Sequence, residues 1–480
     1  MLPHIELVKP PNPLTPVTNS AKWLTRGVGR VGEGVSEMLF EPVTRLGVTG
    51  LARAGKTVFI TSLVSNLTAQ ARMGQVAVLR DGRLEIAYLQ PQPDDLVPRF
   101  ALEQHQQALL SDPPQWPSST RSISQLRLSF KVQPAGMLAS LAGPRTSHLD
   151  IVDYPGEWLL DLALLETTYA RWSSQTLKTI AARPALSEAW HAVVEDLDPT
   201  AKLDEVEAQH LAKAFTEYLH NCRDAGFANI TPGRFLLPGD LEGSPALTFA
   251  PLPPTQAPNG SLHRAFERRF EAYRRQVVQP FFRDHFARVD RQVVLVDLLG
   301  ALNSGPEAVR DLRESLSGVL NAFRPGKNSW LSTILGRRVD RILFAATKAD
   351  HLHHLQHDRL AELMGQMVQE AAANAKFSGA EVQSMALASL KATQEQEVER
   401  GGQTLHLVRG LRDSDRAELA IHPGTLPADL AGLLSEPPTW DSAGFAATVF
   451  APPQLESLNT RGLPHVRLDR AAQFLFGDKL

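Results

Sequence analysis

The chain has 480 residues, 43% of them hydrophobic, and a formal net charge of −3 at pH 7. This length accommodates two or three domains, or one large domain with insertions, and the near-neutral charge argues against nucleic acid as a partner. The single cysteine, Cys222, excludes an internal disulfide, and no apolar stretch reaches the length of a membrane span. These features predict a cytoplasmic protein with a substantial core and leave its oligomeric state open.

The first motif along the chain lies in GVTGLARAGKTVF at 47–59, which contains G-x-x-x-x-G-K-T. Residues 45–49 are typical of a short strand, and 56–70 have helical spacing, so the motif has the context of a phosphate-binding P-loop. Lys56 would reach the β- and γ-phosphates, and the Thr57 hydroxyl would ligate Mg²⁺. The alternative is a glycine turn before an ordinary amphipathic helix. We expect the phosphates to contact Gly50, Ala52, Arg53, Ala54, Gly55, Lys56, Thr57 and Val58.

The segment between this helix and the next core strand is unusually long. VAVLRDGRLEIAYL at 76–89 predicts a β-hairpin that turns at Asp81 and Gly82, and residues 123–132 alternate like a half-buried strand. The polar stretch between them should carry the Mg²⁺-sensing hydroxyl of the first switch. Thr120 is the preferred metal ligand; the alternatives are Ser118, Ser119 and Ser122.

Two D-x-x-G motifs end apolar runs, at Asp153 and Asp297. If Asp297 were the Mg²⁺ aspartate, a strand would be missing between it and the later T-K-A-D motif. We therefore assign Asp153 to the metal region and expect the N–H of Gly156 to meet the γ-phosphate. Asp297 is expected to cap the fourth core strand, with a role near the metal as the alternative.

T-K-A-D occupies 347–350 and follows the apolar strand RILFAA. Ligands bind at the carboxyl ends of strands in open α/β sheets. The Asp350 carboxylate can accept hydrogen bonds from the N1–H and N2–H₂ groups of guanine, a donor pair that adenine lacks. The Lys348 stem would lie on the base, and Thr347, which is shorter than the more usual asparagine, would tether the loop less. The alternative is a solvated strand-to-helix loop. Backbone N–H groups at Ser389 and Leu390 are weaker candidates for binding the guanine carbonyl.

Two further residues are candidates for a role in hydrolysis. Arg53, the fourth residue of the P-loop motif, could supply a cation beside the reacting phosphate. Glu157 directly follows the D-x-x-G motif, where many GTPases carry glutamine, and could orient the attacking water. The alternative for Arg53 is a solvated side chain or one that pairs with a carboxylate.

The order of these motifs resembles that of a Ras-like GTPase, and four segments resemble the bacterial YcjX-like family of P-loop NTPases. The segments are 47–67, DIVDYPGEWLLDL at 150–162, TKADHLHHL at 347–355 and PHVRLDRAAQFLFGDKL at 464–480. The resemblance implies an α/β, doubly wound P-loop core, binding of GTP and GDP with Mg²⁺, and GTP hydrolysis. It also implies a link to envelope stress and an inner-membrane protein partner, and hence a peripheral position at the inner membrane. The alternatives are an ATPase of the same architecture and a non-catalytic nucleotide-binding adaptor.

The domain organisation follows from the spacing of the motifs. HRAFERRFEAYRRQVVQPFFRDHFAR at 263–288 predicts an arginine-rich helix that docks by an aromatic stripe and that Pro280 kinks or ends. The insertion that carries this helix begins directly after the D-x-x-G motif, which is the second switch. We therefore expect the insertion to change shape when GTP is replaced by GDP. The predicted units are a disordered N-terminus at 1–20, core at 21–157 with the β-hairpin, a mostly helical insertion at 158–290, core at 291–400 and a packed C-terminal flank at 401–480.

Overall fold

The computed structural model describes residues 41–51, 53–118, 122–135, 143–285, 288–321, 339–369, 372–373, 376, 379–435, 448–455 and 461–480. The predictions for residues 1–40, for Ala52 and for Thr120 fall outside this part of the chain.

A seven-stranded sheet forms the centre of the fold, with strand order β2-β3-β4-β1-β5-β6-β7. β2 and β3 run antiparallel to their neighbours, and the other contacts, from β4 to β7, are parallel. This is a Ras-like arrangement with one additional edge strand, and it confirms the predicted doubly wound P-loop core. The strands are β1 (Val43–Gly50), β2 (Leu84–Gln90), β3 (Ser124–Val132), β4 (Arg145–Asp153), β5 (Arg291–Val296), β6 (Arg341–Ala346) and β7 (Glu381–Ala386).

Helices cover both faces of this sheet. They are α1 (Lys56–Thr68), α2 (Ala77–Arg80), α3 (Leu102–Leu110), α4 (Gly156–Leu160), α5 (Tyr169–Ala182), α6 (Glu188–Val194), α7 (Glu205–Asp224), α8 (Gly233–Leu236), α9 (Leu262–Tyr273), α10 (Gln279–Asp284), α11 (Leu298–Ser304), α12 (Pro306–Asn321), α13 (His357–Met367), α14 (Leu430–Ser435) and α15 (Leu468–Phe476). Shorter 3₁₀ turns occupy Asp161–Glu166, Pro184–Leu186, Gly239–Leu241, Pro245–Leu247, Ala349–His351, His354–Gln356 and Gly477–Lys479.

The central strands β5 and β6 are buried on both faces, which explains why they are continuous apolar runs rather than alternating ones. Val293 and Leu295 of β5 pack with α1 and α15, whereas Val294 and Val296 belong to the core on the opposite face. α1 therefore packs against one face of the sheet, and the C-terminal α15 packs on the same face. This packing holds the loop between β1 and α1 at the carboxyl edge of the sheet.

The hairpin predicted at 76–89 is wrong. Residues 77–80 form the short helix α2, and β2 pairs instead with β3. Gly82 does make the turn, with φ +65°, but the N–H of Ala77 donates to Gln473 Oε1 of α15 at 2.8 Å, and Val78 is buried in the core. Tertiary contacts thus override the β propensity of this apolar run.

A second sheet is antiparallel and has the order β10-β9-β8, with β8 (Gln394–Arg400), β9 (Gln403–Leu411) and β10 (Glu418–Ile421). Gly401 and Gly402 join β8 to β9 with φ of +62° and +78°, as a two-residue hairpin turn requires. The boundary predicted between residues 400 and 401 divides this hairpin and is therefore wrong. The two glycines form a turn within one sheet, not a break between two units.

The chain between β4 and β5 contains α4 to α10, which pack around a cluster of buried aromatic rings. Trp172 of α5 stacks on Phe270 of α9 with ring centroids 5.0 Å apart. Arg264, Arg274 and Arg275 of the arginine-rich segment form ion pairs with acidic residues of the same segment. The segment thus docks by its aromatic stripe. Pro280 does not end it, because a π-helical turn at Arg274–Val278 leads into α10.

Asp161 is a buried carboxyl that anchors these helices to the chain leaving β4. Its Oδ1 accepts from the N–H of Gly233 at 2.7 Å, and its Oδ2 accepts from the hydroxyl of Tyr273. Burial raises the pKa of Asp161 to about 7, although both hydrogen bonds oppose that shift. Because the folded protein holds this proton more tightly than the unfolded chain, stability should fall as the pH rises from about 4 to about 7.

We therefore expect Asp161→Asn to remove part of this pH dependence. Relative to the parent, the variant should gain at least about 1 kcal/mol of stability between pH 5 and pH 8, since one pKa unit corresponds to about 1.4 kcal/mol. Urea unfolding of both proteins at the two pH values measures this difference. Asp196→Asn, at an exposed position of the same insertion, is the control. Equal pH dependence in parent and Asp161→Asn would contradict a protonated Asp161.

Candidate functional site

The loop between β1 and α1 has the backbone of a phosphate cradle. Gly55 and Arg53 are left-handed, with φ of +76° and +63°, and the N–H of Ala54 donates to the Leu51 carbonyl at 3.1 Å. A Cβ on Gly50 would lie 3.1 Å from Leu295 Cβ, which leaves little room for a side chain there. The loop ends where α1 begins at Lys56, and N–H groups in the first turn of a helix have no acceptor within it. This geometry suits an anion at the helix N-terminus.

The P-loop and the D-x-x-G motif meet at one ion pair. Lys56 Nζ lies 2.5 Å from Asp153 Oδ1, and the two side chains are 11% and 1% exposed. The Thr57 hydroxyl donates to the Ser118 carbonyl at 3.5 Å, so the chain just before the predicted Thr120 passes beside the P-loop. Tyr154, completely buried, donates to Gln292 Oε1 at 2.6 Å and fixes the chain after Asp153. Lys56 and two of the residues predicted to lie near the metal, Thr57 and Asp153, are therefore close together.

Gly156 packs its backbone directly against the P-loop. A Cβ at this position would lie 1.8 Å from the carbonyl oxygen of Gly50 and 3.1 Å from the N of Leu51. Both neighbours are backbone atoms, so no side-chain rotation could relieve the overlap.

We expect Gly156→Ala to separate α4 from the P-loop and to weaken GDP binding at least about tenfold, which is about 1.4 kcal/mol. Titration with a fluorescent GDP analogue measures the affinity. Gly318→Ala is the matched control, because its Cβ would meet only Ala163 Cβ, at 3.6 Å. Unchanged affinity in Gly156→Ala would mean that α4 leaves Gly50 when nucleotide binds.

The T-K-A-D loop follows β6 at the same edge of the sheet. Thr347 donates from its hydroxyl to the Val296 carbonyl at 3.2 Å, which ties the loop to β5 rather than to the P-loop. Lys348 is left-handed, with φ +60°, and its Nζ forms an ion pair with Asp297 Oδ2. Asp350 is 3% exposed, and its Oδ2 accepts from the N–H of Ala392 at 2.7 Å. One carboxylate oxygen is thus held by the protein.

Asp297 makes contacts beyond the capping role that the sequence predicts for it. It follows β5 and caps α11 through a hydrogen bond from the N–H of Gly300 to Oδ1 at 2.9 Å, while Oδ2 holds Lys348. It is therefore a support for the T-K-A-D loop. Its position at the end of β5, next to β6, is the signal that could have indicated this.

The loop that follows β7 is shaped by the C-terminal segment. Ala388 forms a β-bridge with Val466, and the N–H of Lys391 donates to the Pro464 carbonyl at 2.7 Å. Within the described residues, the intervening N–H groups of Ser389 and Leu390 have no such backbone acceptor. These are the two groups that the sequence proposes for the guanine carbonyl.

A cavity of about 730 Å³ opens between these loops. The predicted residues that line it are Gly50, Arg53, Ala54, Gly55, Lys56, Thr57, Val58, Glu157, Thr347, Lys348, Asp350, Ser389 and Leu390. Asp153 and Gly156 lie behind this lining, in contact with Lys56 and Gly50. P-loop and T-K-A-D residues therefore face one space, large enough for a small ligand.

Sequence reasoning missed one wall of the cavity. Arg412, Asp413 and Ser414, just after β9, line it together with 448–450 and Trp116. The Trp116 indole N–H donates to the Phe450 carbonyl at 3.0 Å, so the segment before β3 closes against the C-terminal flank. No motif marks these residues, which are held at the site by the pairing of Arg412 with Phe450 and by the N–H of Asp413, which donates to the Val449 carbonyl.

Arg53 and Glu157 both line the cavity, but the structure gives Arg53 a different partner. Its guanidinium lies 3.5 Å from Asp224, at the end of α7, and both side chains are more than half exposed. Glu157 is half-buried in the first turn of α4. Among the described residues no ion pair links Arg53 to Glu157. The alternative expected for Arg53, pairing with a carboxylate, describes this arrangement.

The Ras-like strand order, the P-loop at the end of β1 and the T-K-A-D loop at the end of β6 together define a P-loop NTPase of the GTPase class. A model of the YcjX-like family, DUF463, matches residues 44–480. The chain is 40% identical over 450 residues to "Ras-like GTPase YcjX" of Escherichia coli K12, covering 91% of this chain and 96% of that protein. It is 38% identical over 462 residues to the protein of the same name from Shewanella oneidensis, covering 91% and 94%. The chain belongs to the YcjX-like family, which confirms the resemblance found in its sequence.

No helix among the described residues combines the length and the apolar character needed to cross a bilayer.

Proposed function

We propose that the chain binds GTP and GDP with Mg²⁺ and hydrolyses GTP as a nucleotide-dependent switch. The observation that carries this proposal is the placement of Lys56 and Asp350 on one cavity, each at the carboxyl end of a parallel strand. Phosphate and guanine would bind at these two places, with the sugar between them.

The choice of guanine rests on hydrogen-bond complementarity. Since Asp350 Oδ2 already accepts from Ala392, its carboxylate is held in one orientation, and its remaining capacity can accept from the N1–H and N2–H₂ groups of guanine. Ser389 and Leu390 present donors for the guanine carbonyl. An adenine base would place an acceptor against the carboxylate and leave these partners mismatched, which is costly for a buried charge.

The residues present also fit Mg²⁺, which prefers oxygen ligands and keeps several waters. Thr57 supplies a hydroxyl, and Asp153, which pairs with the adjacent Lys56, supplies a carboxylate. Thr120 is the proposed further ligand. When bound, the ion would offset charge on the phosphates. Lys56 would then shift from Asp153 toward the β- and γ-phosphates, where its charge stabilises the transition state. Glu157 is proposed to orient the attacking water, and Arg53 could contribute only after leaving Asp224.

The experiment is a comparison of nucleotides on one preparation of the full chain. We expect GTP to displace a fluorescent GDP analogue, whereas ATP at the same concentration does not. Mg²⁺-dependent phosphate release from GTP should follow. Displacement by ATP with equal strength would favour an ATPase of the same architecture. Tight GTP binding without phosphate release would favour an adaptor that does not hydrolyse it.

The switch would act through the helices between β4 and β5. Three contacts support this: Gly156 against Gly50, Arg53 beside Asp224, and Gly233, whose Cβ would lie 2.0 Å from the Glu157 carbonyl. Movement of α4 on γ-phosphate binding would therefore reach α8 directly, whereas α7 contacts the P-loop through Arg53.

We expect hydrogen exchange in α4, α7 and α8 to differ between protein bound to GDP and protein bound to a non-hydrolysable GTP analogue. The reason is their contact with the P-loop and the D-x-x-G motif. Peptides from α15, which packs on the opposite face of the sheet, serve as the internal control. Identical exchange of α4, α7 and α8 in the two states would exclude a switch there.

The physiological part of the proposal comes from the family resemblance alone: a cytoplasmic protein, peripheral at the inner membrane, tied to envelope stress through a membrane-protein partner. Co-purification from membranes in the GTP-bound and GDP-bound states tests it, and the expected result is retention of a membrane protein in one state only.

A further inference from the structure

A cluster of histidine and glutamate side chains lies beside the T-K-A-D loop, outside the residues assigned to nucleotide. His353 and His354 follow Asp350 closely in sequence, Glu395 and Glu397 lie on β8, and His406 lies on β9. Glu397 and His406 are directly paired across the β8–β9 hairpin. Because alternate residues of a strand share a face, Glu395 projects to the same side as Glu397. The cluster therefore joins the loop to the second sheet.

The polar atoms of this cluster converge. His406 Nδ1 lies 3.4 Å from Glu397 Oε1, and His353 Nε2 lies 3.9 Å from the same oxygen and 3.8 Å from Glu395 Oε2. The rings of His353 and His406 are 4.6 Å apart between centroids. In the set of His353, Glu397 and His406, one candidate ligand atom from each residue lies within 4.8 Å of the others.

Hydrogen bonding within the described residues does not account for the arrangement. His353 is a nearly completely buried side chain, 3% exposed, and its Nδ1 has no hydrogen-bond partner there. The Nδ1 of His406 is likewise buried and without a hydrogen bond, although it faces Glu397. Separations of 3.8 and 3.9 Å are too long for N–H···O hydrogen bonds. They are slightly longer than the ~3.4 Å that separates neighbouring ligands of a tetrahedral ion with bonds of about 2.0–2.2 Å.

We propose that His353, Glu397 and His406, with Glu395 as the fourth ligand, bind a divalent transition-metal ion of the Zn²⁺ class. Two imidazoles with carboxylates suit Zn²⁺, whereas Mg²⁺ prefers a set made only of oxygens. Small movements of exposed side chains bring the ligands to bonding distance, since the Glu397 side chain is 59% exposed and that of His406 is 35% exposed. His354 Nδ1, 2.7 Å from Glu395 Oε2, orients that carboxylate.

The ion would fasten one wall of the nucleotide cavity, a consequence that rests on the proposed function. His353 lies three residues after Asp350, and β9, which carries His406, leads directly into the cavity-lining Arg412, Asp413 and Ser414. A bound ion thus holds the base-reading loop and this wall at a fixed separation. Zinc should therefore slow the release of GDP.

The test uses the full chain without an affinity tag, stripped with EDTA and free of nucleotide, so that its outcome is independent of guanine recognition. Titration with ZnCl₂ in excess Mg²⁺ should show one tight site per chain, and CoCl₂ should give the visible absorption of a four-coordinate ion with nitrogen ligands. Glu397→Gln and His406→Gln should each weaken Zn²⁺ binding at least about tenfold. Both positions are partly exposed, and equal melting temperatures in EDTA verify that the variants are folded.

Glu399→Gln is the matched control, because Glu399 lies on the same face of β8 but accepts a hydrogen bond from Thr404 and stands outside the cluster. It should bind zinc like the parent. Absence of a tight site, or equal affinities in Glu397→Gln and Glu399→Gln, would overturn the proposal. Faster GDP release in Glu397→Gln with zinc present, and not in EDTA, tests the consequence separately.

Discussion

Replacement of Lys56 by alanine is expected to reduce GTP turnover at least about a hundredfold, which corresponds to about 2.7 kcal/mol of barrier. The ammonium group lines the cavity where α1 begins, and it pairs there with Asp153. Loss of this charge removes a preorganised partner of the transition state, and phosphoryl transfer is catalysed mainly by positioning and by such electrostatic stabilisation. Phosphate release under single-turnover conditions measures the effect.

Lys56→Ala also deprives the buried Asp153 of a counter-ion, so loss of structure must be separated from loss of chemistry. The double variant Lys56→Ala, Asp153→Asn removes the buried negative charge as well, and we expect it to unfold at the same urea concentration as the parent while remaining inactive. Lys213→Ala, at an exposed position of α7, is the control for removing a lysine and should keep parent activity. Parent turnover in Lys56→Ala would contradict the assignment of the phosphate cradle.

The fold and the placement of the P-loop and T-K-A-D motifs on one cavity could be predicted from the sequence because each depends on contiguous residues. The G-x-x-x-x-G-K-T motif lies between a strand and a helix, and Asp153 and Asp350 follow buried strands whose order fixes their place in a parallel sheet. Chain order also separated Asp153 from Asp297. These inferences needed only local patterns and the rule that ligands bind at the carboxyl ends of strands.

What the sequence left open depends on contacts between distant segments. α2 replaced a hairpin strand because Ala77 and Val78 meet α15 and the core. The wall formed by Arg412 to Ser414 reaches the cavity through its bridge to Phe450, with no local signal. The partner of Arg53 comes from α7, in the inserted helices. Such pairs are far apart in sequence, and a single chain carries no pattern that joins them.

The base-reading role proposed for Asp350 leads to the second large prediction. In Asp350→Asn the side-chain oxygen can still accept from the N–H of Ala392, so the new NH₂ group faces the base. It then opposes the N2–H₂ donor of guanine but can donate to the carbonyl that xanthine carries at that position. We expect affinity for GDP to fall at least about a hundredfold and affinity for xanthosine diphosphate to rise at least about tenfold.

Dissociation constants of both diphosphates, measured in parent and variant, test the exchange. Because two hydrogen bonds to a buried carboxylate are lost for guanine, and each contributes about 1.5–3 kcal/mol, a change of this size is reasonable. Asp358→Asn is the control, since its exposed carboxylate pairs with Arg467 and lies outside the cavity lining; it should leave both affinities unchanged. A preference that reverses from guanine to xanthine can arise only from contact between residue 350 and the base. If Asp350→Asn weakens both nucleotides equally, Asp350 supports the loop and the base is read by other groups, which would leave the phosphate cradle intact but remove the argument for guanine.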